Sequence, residues 1–343
     1  MKDNGVLEDD YTKVTIGTIV TISFAIIVYF LVSDTTEFVT NASDSFSSSS
    51  IIILFYRILC FGASAYAIVY MFTCGPGNMR VVNLTDNQEI LLNPVGKEKF
   101  VTFSSWTLLM CVAYFLLATI NQVITMVGEG VTWLASLQTI TFVTGISMAF
   151  LTATVVRHII LPREVRIERD HGYMFLYHEQ IMHNFAAIFL AFEMLIIRPD
   201  LSPKLAVFGL LIGIAYITFA YLFAYFGGGY FVYGFLHPKP KIAPLFVTGL
   251  ACSIAVFYFG LWYANLVAEY NYWLSWLIVI TWLLLIVQFK PDLENMNKFD
   301  LLDDLGIAWI RALILTRQSN RALGVEMLYR HKFNHKFRNN KSS

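Results

Sequence analysis

Apolar residues in this chain gather into long uninterrupted blocks, not into the alternating or striped patterns of soluble strands and helices. Eight such blocks lie at 14–32, 51–73, 101–126, 131–155, 174–197, 205–226, 243–268 and 272–289. Each is close to the roughly 20 residues an α-helix needs to cross a bilayer core. The polar stretches between them are short, so the pattern predicts an all-α, polytopic membrane helical bundle of about eight transmembrane helices. Only Glu269, Tyr270 and Asn271 separate the seventh and eighth blocks, which predicts a helical hairpin. Gly227, Gly228 and Gly229 follow the sixth block and should break or kink its helix.

The same pattern divides the chain into a polar segment at 1–13, a transmembrane domain at 14–289 and a distinct region at 290–343. In the last of these, Leu301, Leu305, Trp309, Leu313 and Ile314 recur at near-helical spacing, with Asp303, Asp304, Arg311 and Arg317 between them. That predicts an amphipathic helix over 300–328. The sequence ends in a strongly basic run, RHKFNHKFRNNKSS. It reads equally well as an inside-positive tail or as a docking segment for anionic headgroups.

Composition agrees with a membrane body: 57% of residues are hydrophobic and 14% charged, against about 25% charged in soluble domains. Formal net charge is zero, so there is no global basic signal for nucleic acid. Cys60, Cys74, Cys111 and Cys252 show no C-x-x-C spacing, and three lie in apolar runs. They read as small buried hydrophobes, with no metal site and no cofactor expected. The acidic start, MKDNGVLEDDY, matches neither a basic signal peptide nor an Arg-rich transit peptide.

Lys and Arg distinguish the two sides. One set of loops carries Arg80, Lys97 and Lys99, then Arg157, Arg163, Arg166 and Arg169, then Lys239 and Lys241. The other set, beginning with the Asp34–Asp44 loop, has little positive charge. Eight spans would put both termini on the basic side. Asn41 and Asn83 head N-x-S/T sequons, Asn41 on the outer side and Asn83 on the inner. Glycosylation at Asn41 would require a secretory-pathway location.

Few residues offer chemistry. Thr102 opens the third span and His183 lies in the fifth, both entering from the basic side; a hydroxyl near a histidine is the minimal nucleophile–base pair. Against it, a threonine at a helix start often caps the helix, and a membrane histidine often bonds a neighbouring helix. Glu179, four residues before His183, shares its helical face and would orient the imidazole or raise its pKa. Gln180 shares that face as well. His178 does not share it on a regular helix, which argues against a His178/His183 metal pair. Arg57 and Glu193, both at membrane depth and nearer the outer half, read as a buried ion pair. Asn121, Gln122 and Gln138 would extend that polar seam.

At these residues the chain resembles the androgen-induced-gene-product family, polytopic membrane hydrolases of fatty-acid esters of hydroxy fatty acids. K-F-V-T-F, holding Thr102, is similar to the family's threonine motif. Met182, His183 and then Glu193 are similar to its histidine motif. Gly229 to Leu236, GYFVYGFL, is similar to a later element. The resemblance covers about residues 50–240 and implies Thr102 as nucleophile and His183 as base. The sequence departs from it where family members carry further histidines; Tyr225, Phe226 and Gln180 stand there instead.

The leading expectation is a structural or accessory subunit of a large membrane complex, built on this hydrolase-like scaffold in an energy-converting membrane such as the mitochondrial inner membrane. The endoplasmic reticulum and plasma membrane are the alternative locations. The competing functions are an integral membrane lipid-ester hydrolase using Thr102 and His183, and a transporter or channel lined by Arg57, Glu193 and Asn121. Expected partners are membrane lipids and, through residues 290–343, other membrane-protein subunits; nucleic acid is not expected.

Overall fold

A computed structural model of the chain describes residues 10–166 and 172–289. The apolar blocks fold as helices because lipid offers the backbone no hydrogen bonds, so each block must satisfy its own. In order, these are α1 (Thr12–Val32), α3 (Ile51–Thr73), α4 (Phe103–Val127), α5 (Thr132–Val155), α8 (Ala186–Ile197), α9 (Ala206–Phe223), α10 (Ala243–Tyr270) and α11 (Tyr272–Ile286). Between them lie the shorter helices α2 (Thr35–Ser45), α6 (Leu161–Arg166) and α7 (Tyr177–Gln180). Among the described residues, seven continuous helical segments are long and apolar enough to cross a membrane. The protein is a multi-pass integral membrane protein with an all-α bundle. The expected amphipathic helix over 300–328, the basic tail and Arg169 lie outside the described residues.

The eighth expected span, 272–289, is corrected to a helix of 15 residues, α11. At about 1.5 Å per residue it is about 22 Å long, short of a hydrocarbon core of about 30 Å. Its last carbonyls, which a helix end leaves without intrahelical partners, are taken by side chains of neighbouring segments. Arg157 Nη1 donates to Leu284 O at 2.7 Å and Val287 O at 2.5 Å, and His158 Nε2 lies 2.9 Å from Leu285 O. Beyond it the chain is extended, and Asn184 bonds both the N–H (2.9 Å) and the C=O (2.8 Å) of Gln288. The hairpin of α10 and α11 forms as the sequence predicts.

Three further elements depart from the sequence pattern. The Asp34–Asp44 loop is a helix, α2, which buries Thr35, Val39, Ala42 and Ser43. A small antiparallel sheet joins β1 (Met79–Asn83) to β2 (Glu89–Leu92) and to β3 (Tyr230–Phe231), with Val82 opposite Phe231. Among the described residues, three π-helical turns interrupt the bundle, at Val156–Ile160, Ile181–Phe185 and Ala224–Gly228. The last ends α9's span, and Gly229 follows at φ +71°, a left-handed conformation that glycine adopts without steric penalty.

Loop contacts sort into two groups matching the charge pattern. On the basic side, Tyr11 N–H donates to Lys239 O at 3.0 Å and Thr15 Oγ1 to Pro238 O at 2.8 Å. On that side also, Arg163 Nη2 lies 2.6 Å and Arg80 Nη1 3.1 Å from the Glu89 carboxylate. On the other side, Asp200 N–H donates to Ser45 Oγ at 2.9 Å and Asn265 Nδ2 to Pro199 O at 2.7 Å. The chain therefore enters at residue 10 and reaches residue 289 on the same face, the one bearing Arg157.

The most enclosed helix is α5. Its small residues Gly145, Ser147, Ala149 and Ala153 let neighbours approach closely. A Cβ on Gly145 would already sit 3.4 Å from Leu190 Cδ1. Phe142 and Phe150 of α5 pack with Tyr114, Phe115, Leu190 and Tyr258 of neighbouring helices, all fully buried. By contrast, α1 buries only Thr15 and exposes Val20, Phe24, Leu31 and Val32.

Candidate functional site

Two buried polar clusters stand out against the apolar body. The first lies near the basic face, where α3 ends and α4 and α7 begin. Thr102 is the N-cap of α4, and its extended backbone (φ −84°, ψ 149°) frees the side chain to accept from Ser105 N–H at 3.2 Å. The same oxygen accepts from Ser104 Oγ at 3.2 Å and lies 2.8 Å from Ser105 Oγ. The hydroxyl is thus held within its own turn, as capping demands.

His183 sits in the π-helical turn Ile181–Phe185, with Nδ1 3.4 Å from Glu179 Oε2. It lines a small cavity with Ala153, Arg157, Leu161, Asn184 and Gln288, which does not include Thr102. Among the described residues no hydrogen bond joins Thr102 to His183. The structure therefore brings Glu179 to His183, as the four-residue spacing implies, but does not bring the Thr102 hydroxyl to the imidazole.

His178 does come to the cluster. Its Nε2 lies 3.3 Å from Glu179 Oε1, so Glu179 has one histidine at each oxygen. On its other side, His178 Nδ1 is 3.9 Å from Cys74 Sγ, and Lys99 Nζ donates to that sulfur at 3.3 Å. Lys99, a buried residue, also donates to Met71 O at 2.8 Å and Gly75 O at 2.6 Å, which holds its ammonium beneath the end of α3. Nearby, Phe103 N–H donates to Tyr233 Oη at 3.1 Å. Burial pushes the Tyr233 phenol up to about 12. Cys74 carries no signal in the local sequence, and Lys99 and Tyr233 lie in the K-F-V-T-F and GYFVYGFL motifs without being singled out there; they meet only through helix packing. Among the described residues no group of three or more His, Cys, Asp or Glu could hold a metal ion.

The second cluster is deeper and nearer the opposite face. Arg57 donates from Nε (2.8 Å) and Nη2 (2.5 Å) to Glu193 Oε1, with both side chains 1% exposed. Its remaining donors reach Gln122 Oε1 at 3.1 Å, Phe46 O at 3.3 Å and Ala118 O at 3.4 Å. Tyr114 Oη donates to Glu193 Oε1 at 2.9 Å, and Gln122 Nε2 to Ser50 O at 2.9 Å. Asn121 pairs with Gln138 at 2.8 Å. Glu193 Oε2, Asn121 Oδ1 and Gln138 Nε2 are buried without a hydrogen-bond partner. This knot ties α3, α4, α8 and the α2–α3 connection together.

Comparison of the chain with protein-family models, curated proteins and solved structures yields no match. What the geometry defines directly is the class: a multi-pass integral membrane protein with two buried polar clusters, one at a bilayer boundary and one within the bundle.

Proposed function

We propose that this protein is a structural or accessory subunit of a larger membrane assembly rather than a threonine hydrolase. The observation that carries it is how the Thr102 oxygen is used. It caps α4 within its own turn and makes no hydrogen bond to His183. A nucleophilic hydroxyl is activated by a hydrogen bond to an adjacent base, and here the hydroxyl's bonds are those of a helix cap. The knot around Arg57 and Glu193 reads as a rigidifying element: its charges are paired with each other, and its hydrogen bonds join several helices. The outward apolar surface of α1 fits contact with lipid or a neighbouring subunit. An energy-converting membrane such as the mitochondrial inner membrane is the proposed location, and residues 290–343 the proposed attachment.

The test is co-purification from native membranes of the full chain and of a variant lacking residues 296–343. Loss of association with a large complex on deletion supports the assignment. A full-length protein that always purifies alone overturns it.

A second function keeps one favourable observation. Glu179 lies 3.4 Å from His183 Nδ1, without hydrogen-bond geometry, on the side from which a carboxylate orients a general base. If the protein is a lipid-ester hydrolase similar to the androgen-induced-gene-product family, a lipid must draw Thr102 and His183 together. Ester hydrolysis by the purified protein that disappears in both Thr102→Ala and His183→Ala would establish it.

A further inference from the structure

We propose that Cys74, His178 and Glu179 form an acyl-acceptor site, in which the Cys74 sulfur takes a long-chain acyl group from an acyl thioester at the membrane boundary. This goes beyond the scaffold role and does not depend on it. The three side chains are arranged as nucleophile, base and orienting carboxylate: Sγ to Nδ1 3.9 Å, then Nε2 to Oε1 3.3 Å. Glu179 beside Nε2 favours the tautomer that leaves Nδ1 free to take a proton, which is what a base facing the sulfur requires. Lys99 Nζ, 3.3 Å from the sulfur, places a positive charge where the attacking atom carries negative charge.

Position supports the same assignment. Cys74 directly follows the last residue of α3, so it marks the end of an apolar span. Acyl chains lie in the hydrocarbon and present their carbonyl carbons near that depth. The sulfur's residue is partly exposed, whereas His178 is 4% exposed. Along α3 from His178 runs an aromatic strip. Tyr70 lies 5.8 Å from the His178 ring, Tyr66 and Tyr177 pack on Tyr70 and on each other, and Tyr66 is 56% exposed. This offers an apolar surface for the chain of an acyl group whose carbonyl is at Cys74. The other thiols lack these features. Cys60 and Cys111 are buried, and Cys252 is exposed, with no hydrogen bond to a histidine among the described residues.

The step balances as a transthioesterification. His178 Nδ1 takes the thiol proton, and the sulfur attacks the carbonyl carbon of the donor thioester. The donor's C–S bond breaks, and the leaving thiolate takes the proton back from His178. The products are acylated Cys74 and a free thiol. No oxidant, metal or second enzyme is needed.

The experiment uses the full chain in lipid nanodiscs with an alkyne-tagged long-chain acyl thioester of coenzyme A and no other protein. Peptide mass spectrometry follows label at Cys74 and Cys252 in the same molecules. The expected result is label on Cys74, removed by neutral hydroxylamine, accumulating well ahead of Cys252. His178→Ala should slow labelling at Cys74 by about 100-fold and leave Cys252 unchanged. Equal labelling of the two cysteines in the unmodified protein would overturn the proposal, whether or not the variant folds. So would hydroxylamine-resistant label at Cys74, or a His178→Ala protein labelled at the original rate.

Discussion

Arg57 and Glu193, 136 positions apart, meet in an ion pair of 2.5 Å whose two side chains are 1% exposed. Such a pair is costly to assemble and more costly to halve. Removing one partner leaves an uncompensated charge in a low-dielectric interior.

Arg57→Met and Glu193→Leu should therefore each destabilise the protein by about 3–5 kcal/mol. The double variant should lose less than either single variant, because no charge is left unpaired. Thermal unfolding of the four proteins in one detergent gives the coupling energy. Additive losses would show that the two charges are held by their other partners, Gln122, Phe46 O and Tyr114, and not by each other.

A second expectation concerns α9 against α10. A Cβ on Gly209 would meet Ile254 Cγ2 at 2.8 Å, and one on Gly213 would meet Ile254 Cδ1 at 2.8 Å. Alanine at either position should cost about 1–3 kcal/mol through overpacking, partly offset by better helix propensity. Ile254→Val removes Cδ1 and keeps Cγ2. It should rescue Gly213→Ala and leave Gly209→Ala unrescued. Melting temperatures of the singles and pairs decide it, and equal rescue of both would contradict the contact geometry.

Thr102 yields a prediction independent of any activity. Thr102→Ala removes the cap of α4 and should cost about 1 kcal/mol, while Thr102→Ser should be close to neutral. Chemical or thermal unfolding measures both. An alanine variant as stable as the parent would mean that the Ser105 N–H bond contributes nothing, and would free Thr102 for another role.

The ion network on the basic face sets a pH dependence. Partial burial raises the Glu89 pKa, but the bonds and charges of Arg163 and Arg80 outweigh it and hold the carboxyl below its usual value. A depressed folded pKa contributes stability above the unfolded value of about 4.3. That stability is lost as pH falls through the folded value. The arginine side chains are 32% and 34% exposed, so solvent screens the effect to at most about 1 kcal/mol. Glu89→Gln should remove this part of the acid sensitivity. Hydrogen exchange in β1 and β2 between pH 6 and 3 is the measurement; an unchanged profile in the variant would count against it.

The bundle was legible in the sequence because one rule dominates inside lipid: an apolar block must satisfy its own backbone. Bounds such as Ile51–Thr73 and Thr12–Val32 follow almost residue for residue. Arg57, Glu193 and the Glu179–His183 pair were legible for a related reason, that rare polar groups at depth must find partners. Helix α2 was hidden because Thr, Asn, Ser and Asp dominate it. Its buried Thr35, Val39 and Ala42 do keep helical spacing, a pattern too short and too polar to compete with the blocks around it. On a regular helix His178 lies off the face of His183, so spacing alone does not join the two. A carboxylate with two oxygens at Glu179, next to the π-helical turn Ile181–Phe185, reaches both histidines. Cys74 and Lys99 join His178 only through the meeting of distant segments, which no local pattern encodes.

Helix α11 has one further consequence. A helix that crosses lipid on its own hydrogen bonds can leave its place only by unwinding or by moving whole. The end of α11 and the chain just after it are fastened differently: Arg157, His158 and Asn184 grip carbonyls of Leu284, Leu285, Val287 and Gln288 and the amide of Gln288. Side chains can let go by a change of rotamer. The last part of the return toward the Arg157 face is thus a clasp that can open and reclose without any helix melting.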